Sequence, residues 1–144
     1  MYSKRIIIIS GILFLLVLAA PACKRGDSLI TRVSSQEFYD QYRHLLEDEA
    51  ALVIDGRTTE MFSRGHLPNA INIDADRDDL KERLKAHADE PLIVVYCTTS
   101  RRSGKIIDTM EEFYQGEIIC ISDGIQGWTN NGLPLADFKD ISPD

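Results

Sequence analysis

The order of segments along the chain predicts an α/β domain built on a parallel sheet. Short apolar runs rich in β-branched residues alternate with longer stretches whose apolar residues recur every three or four positions. The most strand-like run, Leu92 to Tyr96, is apolar at every position, as a strand covered on both sides must be. Such alternation puts helices on both faces of a parallel sheet. Ligands of these sheets sit beyond the carboxyl ends of the strands. The 144 residues give room for one domain.

Taken in order, Ile30 to Val33 reads as a first short strand. Ser34 or Ser35 caps a helix reaching about Glu47, with Phe38, Tyr42, Leu45 and Leu46 on one buried stripe. Ala51 to Ile54 suits a central strand ending at Asp55. Thr59 to Ser63 is a brief helical turn, and Ile71 to Ile73 another short strand. Asp76 to Ala88 reads as a helix with Leu80 and Leu84 inward. Leu92 to Tyr96 follows the punctuation of Pro91. Ser103 to Tyr114 is a helix with Ile106, Ile107, Met110 and Phe113 on its apolar face. Glu117 to Ile121 is the last strand, and Gly124 to Asn130 a short helix ended by Gly132 and Pro134.

The first 22 residues stand apart from this pattern. Lys4-Arg5 is a positive start, Ile6 to Ala20 is apolar apart from Ser10 and Gly11, and Ala20-Pro21-Ala22 offers small residues for cleavage just before Cys23. An apolar segment, small residues and then Cys is similar to a bacterial lipoprotein signal, which implies lipid on Cys23. A plainly cleaved signal and an uncleaved anchor are the alternatives. The uncharged run from Ile6 lies at the low edge of the roughly 20 residues a spanning helix needs. All three place the domain outside the cytoplasm, in the periplasm or cell envelope. The expected layout is a signal peptide at 1–22, a polar tether at 23–29, a folded domain at 30–135 and a flexible tail at 136–144.

Composition narrows the function classes. At 44% hydrophobic and 27% charged the chain can pack a core rather than remain disordered. Its net charge is -7, and Lys4 and Arg5 are the only charged residues in the first 22, so the remainder stands at -9. Such a domain repels phosphate backbones, which argues against nucleic acid as a partner. No CxxC, HExxH or Cys/His cluster occurs, so no metal or other cofactor is expected.

The chemistry concentrates at Cys97-Thr98-Thr99-Ser100-Arg101-Arg102-Ser103, between a buried strand and a helix. A turn wrapped around a sulfur points successive backbone N–H groups inward as an anion nest. The helix start adds partial positive charge, and Arg101 and Arg102 add full charges. All three favour the nucleophilic thiolate. The plain alternative is a small core residue at a strand end.

This loop, Cys97 followed by four residues and Arg102, resembles the active-site loop of the rhodanese-like family. Two further segments resemble the same family: Ile54-Asp55-Gly56-Arg57-Thr58-Thr59-Glu60 with Gly65-His66-Leu67-Pro68-Asn69-Ala70-Ile71-Asn72-Ile73, and Gly124, Trp128, Gly132 and Pro134. The resemblance implies a single domain with a five-stranded parallel sheet flanked by helices on both faces. It also implies sulfur transfer. The Cys97 thiolate takes the outer sulfur of a donor such as thiosulfate, and an acceptor nucleophile, a small thiol or a partner protein, removes it from the persulfide. Arg101, Arg102 and the N–H groups of Thr98 to Ser103 would hold the anionic donor and the terminal sulfur. A non-catalytic persulfide carrier or sulfur-sensing docking module is the other reading. Phosphatase and arsenate-reductase relatives carry a loop one residue longer, so oxyanion chemistry fits less well.

The sequence departs from the family at three positions. Ser100 stands where many active members have Gly, and a left-handed backbone there would cost Ser about 1–2 kcal/mol. Asn69 replaces a common Gly but tolerates that geometry. Asp123 replaces another Gly and is expected to add negative charge at the functional edge. Among the other polar residues, Asp55 and Arg57 read as an ion pair bracing the strand end. His66 reads as a turn-fixing residue with Glu60 as its companion, and His44 and His87 as solvated. Trp128 reads as a core anchor. Cys120 reads as an inert core thiol, with a resolving or disulfide role beside Cys97 as the alternative.

Overall fold

A computed structural model describes residues 29–136, Glu49 excepted. The expected signal peptide, Cys23, the expected tether up to residue 28 and the expected tail from residue 137 lie outside the described residues, while Leu29, expected in the tether, opens the first strand. The elements run β1 (Leu29–Val33), α1 (Ser35–Tyr42), α2 (His44–Glu47), β2 (Leu52–Asp55), α3 (Thr59–Ser63), β3 (Ala70–Asn72), α4 (Leu80–Lys85), β4 (Leu92–Tyr96), α5 (Arg101–Met110), β5 (Glu117–Ile121) and α6 (Gly124–Asn130). The five strands form one sheet in the order β1-β5-β4-β2-β3. Every neighbouring pair is parallel.

The period-two direction of strand side chains divides the interior into two cores. From β4, Ile93 and Val95 join Ile54, Leu84, Ile106, Met110 and Cys120 beneath α4 and α5. Val94 and Tyr96 join Phe38, Leu46, Val53, Ile119 and Trp128 beneath α1, α2 and α6. Burial on both sides explains why β4 and β5 read as unbroken apolar runs. Trp128 anchors the second core. Its ring meets Tyr39 edge-on at 5.8 Å, and its Nε1 donates to the Pro134 carbonyl at 2.9 Å.

The structure differs from the sequence expectation at three helices. The first helix is interrupted at Arg43, where Leu46 N–H turns back to the Arg43 carbonyl at 2.9 Å, a tighter three-residue turn. Ser34 caps it as expected, accepting from Glu37 N–H at 3.2 Å. The helix expected over 76–88 shortens to α4. Asp74 captures the Asp76 N–H on its own carboxylate at 2.9 Å, a local turn that competes with helix. The third, α5, starts two residues earlier than its apolar pattern suggests and ends at Met110.

Two predicted backbone departures resolve in opposite ways. Asn69 is left-handed, with φ of 57°, and its amide donates to the Leu46 carbonyl at 2.7 Å. Ser100 has φ of −140°, so the expected strain is absent.

Candidate active site

Cys97 directly follows β4, in the middle of the sheet, where the chain leaves for α5. Its side chain is buried, with 2% of the residue exposed. The Sγ lies 3.6 Å from the Ser103 hydroxyl, reaching one turn into α5. That hydroxyl donates to the Ser100 carbonyl at 3.0 Å and presents its lone pairs to the thiol.

Two backbone contacts set the loop's conformation. Ile125 N–H donates to the Cys97 carbonyl at 2.9 Å, and Gln126 N–H to the Thr98 carbonyl at 3.1 Å. The donors are amides of the first turn of α6, which have no partner within their own helix. A trans peptide holds its N–H opposite its C=O. Fixing these carbonyls toward α6 therefore turns the N–H groups of Thr98 and Thr99 away from α6. Gly124 makes the approach possible. Its φ is +59°, and a Cβ there would lie 2.4 Å from the Cys97 carbonyl oxygen. The Thr98 Oγ1 is buried beside the loop and has no hydrogen-bond partner. Thr99 and Ser100 are exposed.

The neighbouring strand end is braced by a buried ion pair. Arg57 Nη2 donates to Asp55 Oδ2 at 2.6 Å and to the Gly65 carbonyl at 2.6 Å, and its Nε spans both carboxylate oxygens at 3.0 Å. Burial works against the guanidinium charge, but the Asp55 carboxylate outweighs it and holds the Arg57 pKa above its usual value. Gly56 N–H donates to the Tyr96 carbonyl at 2.9 Å, tying this loop to the end of β4. Tyr96 Oη accepts from Leu67 N–H at 3.0 Å. Burial, reinforced by Asp55, pushes its phenol far above the ordinary range and keeps it neutral. The expected bracing role of Asp55 and Arg57 matches this geometry.

The loop arginines are engaged differently from expectation. Arg102 Nε donates to Asp76 Oδ2 at 2.7 Å, and Arg101 reaches the same carboxylate at 3.2 and 3.4 Å. Hydrogen bonds from Arg102 first and Arg101 second hold Asp76 below the ordinary carboxylate range. Asp76 lies on the β3–α4 connection and had no expected role. The cue was available, since the loop after β3 also leaves the carboxyl edge of the sheet. The run of four aspartates there reads first as a solvated charge cluster.

One companion assignment is corrected. Glu60 pairs with Arg64 one helical turn on, not with His66. His66 stacks on Phe62 with ring centroids 4.0 Å apart, and its Nδ1 contacts the Leu67 carbonyl at 3.0 Å, so it does fix the turn. Asp123 follows the carboxyl end of β5 and lines a depression with Thr99 of the loop, but its carboxylate has partners on α1. Its carboxylate accepts from the N–H and hydroxyl of Ser35 at 2.7 and 2.8 Å, capping α1 instead. Cys120 is opposite Val95 in the register of β4 and β5 and is buried. Burial pushes its thiol up, partly offset by the Ser103 hydroxyl. Both Cys97 and Cys120 are free thiols.

An open depression of about 430 Å³ lies beside the loop, lined by Arg57, Met61, Arg64, Thr98, Ile125 and Leu135 among others. Among the described residues no group of acidic, His and Cys side chains is arranged to hold a metal, and no helix is long and apolar enough to cross a membrane.

Comparison with known proteins gives a concordant picture. The family model for the rhodanese-like domain matches residues 38–131. An uncharacterised protein of Buchnera aphidicola is 24% identical over 98 residues, covering 68% of this chain and 67% of its own. The tRNA uridine(34) hydroxylase of Buchnera aphidicola is 32% identical over 106 residues, covering 67% of this chain but 32% of that enzyme. Among solved structures, a rhodanese-related protein from Thermoplasma volcanium superposes with a TM-score of 0.59 at 23% identity, over 74% of this chain and 97% of that one. A polysulfide-sulfur transferase from Wolinella succinogenes gives 0.55 at 23% identity, over 79% of this chain and 83% of that one. These two structural likenesses speak for the fold.

The geometry around Gly124 makes a stability prediction. A Gly124→Ala variant must adopt left-handed backbone, worth about 1–2 kcal/mol, and must also push the Cys97–Thr98 carbonyls off α6. Urea denaturation should show a loss above that range. A loss below about 1 kcal/mol would mean that the loop does not depend on this contact.

Proposed function

The chain belongs to the rhodanese-like family, and on that basis we propose that it is a sulfurtransferase carrying sulfane sulfur on Cys97. The observation that carries the proposal is the pinning of the Cys97 and Thr98 carbonyls by α6, which turns the Thr98 and Thr99 amides away from that helix and leaves them available to a negative sulfur. In the first step the Cys97 thiolate attacks the outer sulfur of a donor. The donor's S–S bond breaks, and the leaving group departs with the electron pair, as sulfite where the donor is thiosulfate. In the second step an acceptor thiolate or cyanide attacks the terminal sulfur of the Cys97 persulfide, and the Cys97 thiolate is restored. Thr98 to Ser103 supply the amide cradle, and the Ser103 hydroxyl stands beside Cys97 Sγ to orient it. Arg102 and Arg101 lie on the outer side of the loop, where Asp76 already offsets their charge.

Four residues between Cys97 and Arg102 make a small cradle. It suits one added sulfur better than a tetrahedral phosphate or arsenate. A persulfide carrier that passes its sulfur to one protein partner uses the same first step and differs only in turnover.

Incubation with a sulfane donor should add the mass of one sulfur atom to the full chain, on the peptide containing Cys97. A Cys97→Ser variant should gain none while keeping its circular dichroism. Multiple turnovers with cyanide favour the enzyme, and a single loading favours the carrier. Sulfur found only on Cys120, or on neither cysteine, overturns the proposal.

We further propose export and lipid anchoring through Cys23, on the strength of the apolar run ending at Ala20-Pro21-Ala22. The mature chain should begin at a Cys23 bearing acyl mass and partition with membranes. A mature chain carrying Met1, or an unmodified Cys23, rules this out.

A further inference from the structure

We propose that Asp76 sets the donor class of the Cys97 site, turning it toward organic persulfides of low charge and away from doubly charged anions such as thiosulfate. The inference rests on the sulfur-carrying role of Cys97 and goes beyond it to the substrate.

The two cations of the active-site loop are not held open for a substrate. Arg102 Nε donates to Asp76 Oδ2 at 2.7 Å, and Arg101 Nη2 reaches the same atom at 3.2 Å. The Arg101 side chain is 69% exposed, so its contact contributes little. The Arg102 side chain is 20% exposed and Asp76 37%, so this pair is less open to water than that of Arg101 but still screened by it.

The segment carrying Asp76 strengthens the effect. Asp74, Asp76, Asp78 and Asp79 lie within six residues, and the intervening Arg77 donates to both oxygens of Asp79 at 2.7 and 3.0 Å. With Arg77, Arg83, Arg101 and Arg102 counted, the four carboxylates are matched by four guanidinium groups, so this rim carries no surplus of positive charge.

The other side of the loop follows the same rule. Of the cations lining the depression beside Thr98, Arg57 is held by Asp55 and Arg64 by Glu60. Arg57, Arg64, Arg101 and Arg102 therefore each have a carboxylate partner, with the Arg64–Glu60 pair, like that of Arg101, open to water. A dianion must displace one of these carboxylates or add two negative charges to a rim with no positive charge to spare. An organic persulfide brings at most one charge at its reacting end, and its carbon side meets Met61, Ile125 and Leu135 in the depression.

The transfer balances without a further reactant. The Cys97 thiolate bonds to the terminal sulfur of a protonated persulfide, R–S–SH. The donor S–S bond breaks, R–S⁻ leaves with the electron pair, and the proton stays on the sulfur now attached to Cys97.

The test measures sulfur loading on Cys97 of the full chain by mass. It uses two probes, thiosulfate and the persulfide of 2-mercaptoethanol, and three proteins: wild type, Asp76→Asn and Asp76→Glu. Wild type should load from the persulfide at least about tenfold faster at equal concentration, and added salt should narrow the gap by screening the repelled dianion. Asp76→Asn should raise loading from thiosulfate about tenfold, chiefly through a lower half-saturation concentration, and change persulfide loading less than about twofold. Asp76→Glu should restore the wild-type ratio. Equal changes with both donors, or an Asp76→Asn ratio like that of wild type, overturn the inference while sulfur carriage stands. So does a wild-type preference for thiosulfate. Loading from neither donor removes both.

Discussion

The hydrogen bonds from the first turn of α6 to the carbonyls of Cys97 and Thr98 are the constraint from which the site follows. A helix start always has amides without internal partners. Here two of them are spent on the loop that leaves the central strand. The contact is close enough to require a glycine at the head of α6, and Gly124 sits there in left-handed geometry. Its consequence for chemistry is directional. With the carbonyls turned outward to α6, the loop's own donors are left for whatever forms on Cys97.

A second theme is charge matching at the sheet's carboxyl edge. Asp55 pairs with Arg57, Glu60 with Arg64, and Asp76 with Arg101 and Arg102, on the connections that leave the carboxyl ends of β2, β3 and β4. The buried Asp55–Arg57 pair is structural, binding the β2 loop to the Gly65 carbonyl and stiffening the wall beside Cys97. The exposed pairs add little rigidity. They act on what approaches, since they lower the positive field that the guanidinium groups alone would project. In the proposed function, selectivity and reactivity then have separate origins: backbone amides for the sulfur on Cys97, side-chain pairs for the donor.

What the chain revealed in advance was local in origin. The bounds of α3, β4, β5 and α6 follow from apolar runs, caps and glycines and match the structure residue for residue. The Cys97 loop was readable because its spacing is contiguous. The errors arose where a distant or competing partner decides. Asp123 finds Ser35, 88 positions away, a partner that nothing in its own segment announces. Asp76 meets Arg101 and Arg102 across 25 and 26 positions, and nothing local marks it among neighbouring aspartates. The Glu60 partner was within reach, because Arg64 lies one helical turn on, the spacing at which such pairs form.

A heteronuclear NMR comparison of the thiol and sulfur-loaded forms of the full chain isolates the amide cradle. The backbone amide protons of Thr98 to Ser103 should move downfield on loading, as hydrogen bonds to an anionic sulfur strengthen, while the amides of Ile125 and Gln126 stay in place. Loading that leaves the amides of Thr98 to Ser103 unmoved would show that the sulfur is held by something other than this turn, and the account of the site would fail.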